Sequence, residues 1–386
     1  MARHAVFSIS YLSHSYHCLE DGRAFESESC AKDSLEAFHT DMARQRQILA
    51  LCVSALLGIL LLLRHHLRDL SEVARTYATF YPHLAHHPET LHRYRPANNP
   101  PTPRHEIELA PAIIHQIFLT EGRDAPLAKY EAGITSCQAV NPDWTHYLWT
   151  DGNATTFVAA HYPEILPHYE GYKQSIQRAN ILRYALLDHF GGVYLDLDIT
   201  CLQPLDDLRL LSFVTPGAYP AGVNNAFILS RPHHGFLQHL LDGVESRDLL
   251  WGMPYIENML STGCMFFSNR WMSYVRSLSA HSGDEERVFI LADQTGDIEP
   301  HMLRGKVTTP LFTHGGASSW HGWDAAAIVM IGKHYYYFAA FLGCVFSLAV
   351  LSIRRCTKSR PVVSRRWRRS MDKTGDSEAL VGVKER

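Results

Sequence analysis

None of the eight cysteines is spaced as a CxxC pair, which excludes a zinc ribbon and a thioredoxin-like redox site. Cys52 and Cys344 fall inside apolar runs, so only Cys137, Cys201 and Cys264 lie in the central region. The sequence leaves open whether two of those three form a disulfide or all stay as buried free thiols. Charge is also scarce, at 19% of residues with a formal net charge of -3, so nothing in the overall balance calls for a nucleic-acid partner. The sequence has no internal repeat. No apolar run follows Met1 closely enough for a typical secretory signal, since the first begins at Ile48.

The apolar sequence lies at two places. Residues 48–63 read ILALCVSALLGILLLL, with Arg44 and Arg46 before and Arg64 and Arg68 after. This is shorter than the ~20 residues of an ordinary span and suits the thinner bilayers of the endoplasmic reticulum and Golgi. Residues 335–353 form the second run, opening on three tyrosines that fit an interfacial belt and closing on a basic cluster from Arg354 to Arg369. A basic block beside a span is more often a topology signal than a nucleic-acid-binding tail, and it predicts a cytosolic C-terminus. Trp367, within that block, is suited to rest on an anionic membrane surface. The expected order is a cytosolic tail over 1–47, a transmembrane helix over 48–63, a lumenal stem over 64–109 and a catalytic domain over 110–333. A second transmembrane helix over 334–353 and a basic cytosolic tail over 354–386 complete it. Residues 1–41 read either as part of that tail or as an over-extended gene model. Arg95 to Arg104 is a linker by its proline and asparagine content. The sequon Asn153-Ala154-Thr155 falls in the expected lumenal part.

From Ala112 onward the pattern alternates between strand and helix, which implies an α/β domain with a mostly parallel sheet. Strands are predicted over 112–119, 145–149, 222–229 and 264–267, with helices over 126–139 and 175–189. Between the last helix and the next strand stands Gly191-Gly192-Val193-Tyr194-Leu195-Asp196-Leu197-Asp198. Residues two apart on a strand share a face, so Asp196 and Asp198 are expected side by side at a strand's carboxyl end, where ligands of such sheets bind. Adjacent carboxylates repel unless a positive charge lies between them. A divalent, oxygen-loving cation answers that repulsion and commonly carries a diphosphate, which points to transfer from a nucleotide-sugar.

Several segments, in order, resemble one family. IIHQIFL, NPDWTHYLWTD, SIQRANILRYALLDHFGGVYLDLDITCLQPL, STGCMF and HGGASSWHGWDA are similar to the DXD-containing sugar transferases of fungi. Among these they most resemble the catalytic subunits of inositol-phosphoceramide mannosyltransferase, over roughly residues 110–330. The resemblance implies a GT-A, Rossmann-like fold, here expected between two transmembrane helices, and a retaining transfer of mannose from GDP-mannose to a sphingolipid acceptor. A Golgi or endoplasmic reticulum setting, Mn²⁺ or Mg²⁺ as cofactor and, in some relatives, a regulatory calcium-binding subunit go with it. A Golgi mannosyltransferase of protein-linked glycans and a non-catalytic partner of a related transferase are the competing expectations.

The resemblance assigns Asp196 and Asp198 to the metal, and Ser319 and His321 offer further ligands. His314 is a weaker candidate of the same kind. Phe118, where relatives often have tryptophan, is expected to stack on the base. Tyr194, Arg183 and Trp320 are expected at the donor, and Asn225 near the reacting sugar. Asn180 and Arg183 are three apart and share a helical face. Relatives carry aspartate where this chain has Asn180, so the charge beside the donor sugar differs. Arg178 is expected to pair with Asp188 or a phosphate.

Overall fold

The computed structural model describes residues 27–94, 107–120, 127–218, 220–278, 283–298, 306–316 and 322–358. Its helices are α1 (Ser27–Leu62), α2 (Arg64–His86), α3 (Glu131–Val140), α4 (Asp151–His161), α5 (Leu166–Gly171) and α6 (Ser175–Phe190). After them come α7 (Gly235–Leu241), α8 (Val244–Arg247), α9 (Pro254–Ser261), α10 (Cys264–Ser277), α11 (Trp323–Lys333) and α12 (Tyr335–Lys358). The strands are β1 (Leu91–Arg93), β2 (Ile113–Phe118), β3 (Thr145–Thr150), β4 (Gly192–Leu195) and β5 (Ile199–Cys201). They continue as β6 (Phe213–Pro216), β7 (Phe227–Ser230), β8 (Phe289–Ala292), β9 (Val307–Thr308) and β10 (Phe312–His314).

The chain divides into two units, residues 1–83 and 84–386. The first is built from α1 and most of α2. Its apolar stretch Met42–Leu62 is 21 residues long and is the one described helix long and apolar enough to cross a membrane. The second expected span differs: α12 is apolar only over Tyr336–Ser352, short of that length. The tails 1–26 and 359–386 lie outside the described residues.

The second unit holds a seven-stranded sheet in the order β1-β8-β6-β7-β4-β2-β3. All neighbours are parallel except the two pairs made by β7, which runs antiparallel to β4 and β6. Strand β4 is buried along its length and β2 over its four central residues, as strands covered on both faces must be. Edge strand β1 lies inside the segment expected to be a stem, so the sheet begins earlier in the chain than the sequence pattern suggests. A small antiparallel sheet, β5-β10-β9, continues from the end of β4. The rings of Phe227 on β7 and Phe312 on β10 stack at 5.0 Å and join the two sheets in one core.

Two glycines start β4. Gly191 and Gly192 have φ of 67° and 93°, a region open to glycine and strained for other residues. A Cβ on Gly192 would lie 2.5 Å from the carbonyl oxygen of Ile113 on β2. His115, one strand over, is buried between rings: Trp149 Nε1 donates to its Nδ1 at 3.2 Å, and its Nε2 donates to the Gly191 carbonyl at 3.1 Å. Burial lowers its pKa to about 4, only partly offset by the Gly191 bond.

Helix α3 clamps the segment after β4. A Cβ on Gly133 would meet the Leu197 carbonyl oxygen and lie 2.8 Å from that of Ile199. Ser136 Oγ accepts from the Cys201 amide at 3.1 Å, and Asn141 Oδ1 accepts from the Leu205 amide at 2.9 Å. A disulfide joins Cys137 to Cys201, which leaves Cys264 as the free thiol of the three.

Two expectations are corrected. Cys264 to Phe267 is the first turn of α10, where the apolar residues face the core at helical spacing, and not a strand. Of residues 222–229 only those from Phe227 are in a strand; the preceding five form a buried turn with a bridge from Gly217 to Val223.

Because His115 takes up protons less readily folded than unfolded, stability is full above pH 6.5 and is lost as pH falls toward 4. Unfolding measured across that range is expected to show a shallower pH slope in His115→Gln, whose amide stays neutral. Gly133→Ala is expected to lose about 1–3 kcal/mol by overpacking. Gly152→Ala, on α4 with open space around it, is expected to be neutral or stabilised by up to about 1 kcal/mol; equal melting temperatures for the two variants would refute the clamp.

A candidate metal and donor site at the end of strand β4

Strand β4 ends at Leu195, and Asp196, Leu197 and Asp198 form the turn into β5. The Ile199 amide donates back to the Asp196 carbonyl at 3.0 Å, and the Asp196 amide donates to the Ala226 carbonyl at 2.9 Å. The two carboxylates therefore come together through a turn and not through the two-residue repeat of a strand. Small sheet β5-β10 adds a third side chain. His314, opposite Ile199 in the register, places Nε2 3.3 Å from Asp198 Oδ1. Gly315 donates its amide to the Asp198 carbonyl at 2.9 Å and fixes that register. One ligand atom each from Asp196, Asp198 and His314 lies within 4.8 Å of the others. Two carboxylates and an imidazole at that spacing suit a divalent cation.

Behind Asp196 stands a buried cation. Arg183, on α6, is 2% exposed, and its Nη1 lies 3.2 Å from Asp196 Oδ1 and donates to the Asn225 carbonyl at 2.6 Å. The guanidinium sits over the Tyr194 ring, 4.3 Å from its centroid. Tyr194 in turn donates its hydroxyl to Asp196 Oδ1 at 2.7 Å. Burial pushes the Asp196 carboxyl above the usual carboxylate range; Arg183 opposes the rise and Asp198 adds to it. Burial alone would lower the pKa of His314, but the Asp198 hydrogen bond and the charges of both aspartates raise it. The same burial holds the Tyr194 hydroxyl protonated far above neutrality.

A network of amides and hydroxyls continues inward. Asn180 donates both amide hydrogens, to Asn258 Oδ1 at 2.9 Å and Thr262 Oγ1 at 3.2 Å. Asn225 donates to Asn180 Oδ1 at 3.3 Å and to the Tyr184 hydroxyl at 2.8 Å, and the Tyr184 hydroxyl donates to the Thr262 carbonyl at 2.8 Å. The Cys264 thiol lies 2.9 Å from Asn225 Oδ1, and burial pushes its pKa up to about 11. Asn180 and Arg183 share a helix face as expected, but Asn180 is 3% exposed with both donors already used.

Phe118 closes β2, level with Thr150, half-buried and edge-on to Tyr130 at 6.1 Å. Ser319, Trp320 and His321 lie outside the described residues. Arg178 does not pair with Asp188: it donates to the Tyr172 carbonyl at 3.1 Å, while Asp188 accepts from the Tyr162 hydroxyl at 2.8 Å. The sequence reading ranked His314 below His321 because only the fold reveals the β5–β10 register. Thr262 and Cys264 both stand in the STGCMF segment, of which the sequence pattern predicts only the part from Cys264 as a strand. Asn258 carried no signal of its own.

Residues 128–212 match the family described as glycosyltransferase sugar-binding region containing DXD motif. The chain is 31% identical over 253 residues to inositol phosphoceramide mannosyltransferase 2 of Schizosaccharomyces pombe, covering 65% of this chain and 70% of that protein. The chain belongs to this family of DXD glycosyltransferases. It is also 35% identical over 235 residues to a mannosyl phosphorylinositol ceramide synthase of Saccharomyces cerevisiae, covering 61% of this chain and 57% of that one. Among solved structures, the PaToxG glycosyltransferase aligns over 44% of this chain and 72% of its own at 14% identity, with a TM-score of 0.35.

Replacing Arg183 by methionine leaves Asp196 as an uncompensated half-buried charge, and removing one partner of a buried ion pair typically costs about 3–5 kcal/mol. In chelator, Arg183→Met is expected to melt markedly lower than the parent, and Arg183→Met with Asp196→Asn to recover part of that loss. Additive losses in this cycle would show that the two residues are not coupled.

Proposed function

We propose that this glycosyltransferase moves mannose from GDP-mannose to inositol phosphoceramide, with retention at the anomeric carbon. The observation that carries the reading is the convergence of Asp196, Asp198 and His314 at the end of β4, backed by buried Arg183, in a chain of this family. The names of the relatives support the sugar and the acceptor.

In this reading Asp196, Asp198 and His314 hold the cation, and an imidazole in the set favours Mn²⁺ over Mg²⁺. When bound, the cation supplies a Lewis acid for the leaving diphosphate. Arg183 opposes the rise that burial gives the Asp196 pKa and fixes the Asn225 backbone. Tyr194 orients the same carboxylate through its hydroxyl. Asn225 is proposed near the reacting sugar as a positioning group, since its own amide hydrogens go to Asn180 and Tyr184, and half-exposed Phe118 is the ring proposed to meet the base. Asn180, whose hydrogens are taken, acts through Asn225 and Asn258. Ser319 and His321 are proposed as further ligands of the cation and Trp320 as a donor contact, on the resemblance alone.

The setting proposed is the Golgi membrane with the catalytic unit lumenal. The Cys137–Cys201 disulfide supports an oxidising compartment. Apolar residues of α12 are exposed along much of its length, from Tyr336 to Leu351, and a helix of that kind calls for an apolar solvent, so α12 is proposed to enter the bilayer with the C-terminus cytosolic. A regulatory subunit belongs to the same proposal.

Membranes containing the full chain, supplied with GDP-mannose, Mn²⁺ and inositol phosphoceramide, are expected to form a mannosylated lipid. Asp198→Ala should abolish that product with the melting temperature in chelator nearly unchanged, and His314→Ala should raise the Mn²⁺ concentration needed for half-maximal rate. Full activity in Asp198→Ala would sink the metal assignment.

A further inference from the structure

Outside the terminal helices, few large apolar residues are more than half exposed, and two of them are Leu250 at 72% and Trp323 at 76%. The fold brings their segments to one place, the first turn of α9. Asp324, next to Trp323, accepts a hydrogen bond from the Tyr255 amide at 2.6 Å. The loop carrying Leu250 folds back over the same turn, where Trp251 donates its amide to Glu257 Oε2 at 3.2 Å. On the third side, Gln174 donates to the Pro254 carbonyl at 3.1 Å, which sets exposed Lys173 at the rim.

Helix α11 has two faces. Ala325 and Ile328 pack against Tyr255 and Met259 of α9, and Asp324 is 2% exposed. Trp323, Ala326 and Met330 point outward at spacings of three and four, so they form one exposed apolar stripe. That stripe has no covering element among the described residues. It leads, across His334, directly into α12: the amides of Tyr337 and Phe338 donate to the His334 carbonyl at 3.0 Å and 3.3 Å. A solvent that accepts the apolar surface of α12 reaches the outer face of α11 without a break.

We propose that the outer face of α11 and the Leu250 loop form a docking surface that rests on a phospholipid bilayer. Tryptophan and leucine enter the interfacial region, and Lys173 meets headgroup phosphates at the rim. Helix α9 links this surface to the site: it spans eight residues, about 12 Å. Its second half carries Asn258, which receives the Asn180 amide, and its end leads into Thr262. The surface would thus hold the donor site within about one short helix of the lipid headgroups. This last step rests on the lipid-acceptor reading, whereas the docking itself does not.

The test uses the full chain in nanodiscs of phosphatidylcholine with phosphatidylinositol. An environment-sensitive fluorophore is attached at Leu250→Cys in a background carrying Cys18→Ser, Cys30→Ser, Cys52→Ser, Cys344→Ser and Cys356→Ser, and the same background without Leu250→Cys gives the labelling of Cys264 to be subtracted. Its emission is expected to shift to the blue, to be shielded from iodide, and to be quenched by acyl-brominated lipid. Asp284→Cys, on an exposed turn bonded to Ser212 at the start of β6, serves as the water-facing control. A Leu250 probe as open to iodide as the Asp284 probe overturns the docking surface, whatever the acceptor is. In the assay, Leu250→Ser with Trp323→Ser should raise the apparent KM for vesicle-borne acceptor by about tenfold. It should leave the KM for GDP-mannose and its slow hydrolysis by water unchanged, and Leu250→Phe should behave as the parent. If no lipid is mannosylated by any variant while the probe is buried, the acceptor reading fails and the docking stands.

Discussion

The site depends on the burial of Arg183. A guanidinium cannot shed its proton, so a fully buried one must be surrounded by acceptors. Here the acceptors are the Asp196 carboxylate, the Asn225 carbonyl and the face of Tyr194. Each of these groups belongs to a different segment: the turn after β4, the turn before β7, and β4 itself. One charge on α6 therefore sets the spacing between the end of β4 with its turn and the turn before β7, about thirty residues further along the chain. The same charge opposes the rise that burial gives the Asp196 pKa.

The remaining geometry is held by backbone approach. Gly192 lets β4 come close to β2, and Gly133 lets α3 come close to the turn that holds Asp196 and Asp198. With the Cys137–Cys201 bridge and the Ser136 and Asn141 contacts, α3 holds both ends of the segment from Leu197 to Leu205. The turn is thus fixed from behind by helix α3 and from the side by β10, leaving the carboxylates the freedom of their own rotamers and little else.

Local pattern made much of this legible. The strands β2 and β4, the long α6 with Ile176, Ala179, Leu182, Ala185 and Leu186 at helical spacing, and the two glycines each announce themselves in sequence, because strand pattern, helix periodicity and positive φ are local properties. The acidic pair was legible as chemistry but not as geometry: the strand ends at Leu195, before either aspartate. The place of His314 beside Asp198 is not legible locally, since it is set by pairing between strands more than a hundred residues apart. Cys264 to Phe267 read as a strand because four apolar or small residues fit either period; the deciding fact, packing against α6, is tertiary. Asn258 had no pattern at all, because a buried amide is recognised only by its partner.

That partner explains the departure at position 180. An aspartate there would set a carboxylate oxygen against Asn258 Oδ1, two acceptors with no hydrogen between them, and would give Arg183 a second anionic neighbour. With asparagine, the amide satisfies Asn258 and Thr262 at once, while its oxygen takes the Asn225 amide. Asn180 and Asn258 are therefore matched, and a change at one calls for rotation or replacement of the other. The charge of Arg183 is then answered chiefly by Asp196, which ties the buried cation more closely to the acidic turn than an arrangement shared between two carboxylates would. The same network runs through Thr262 to α9, so the inner amides, the acidic turn and the helix that carries the outer apolar surface form one connected set of contacts.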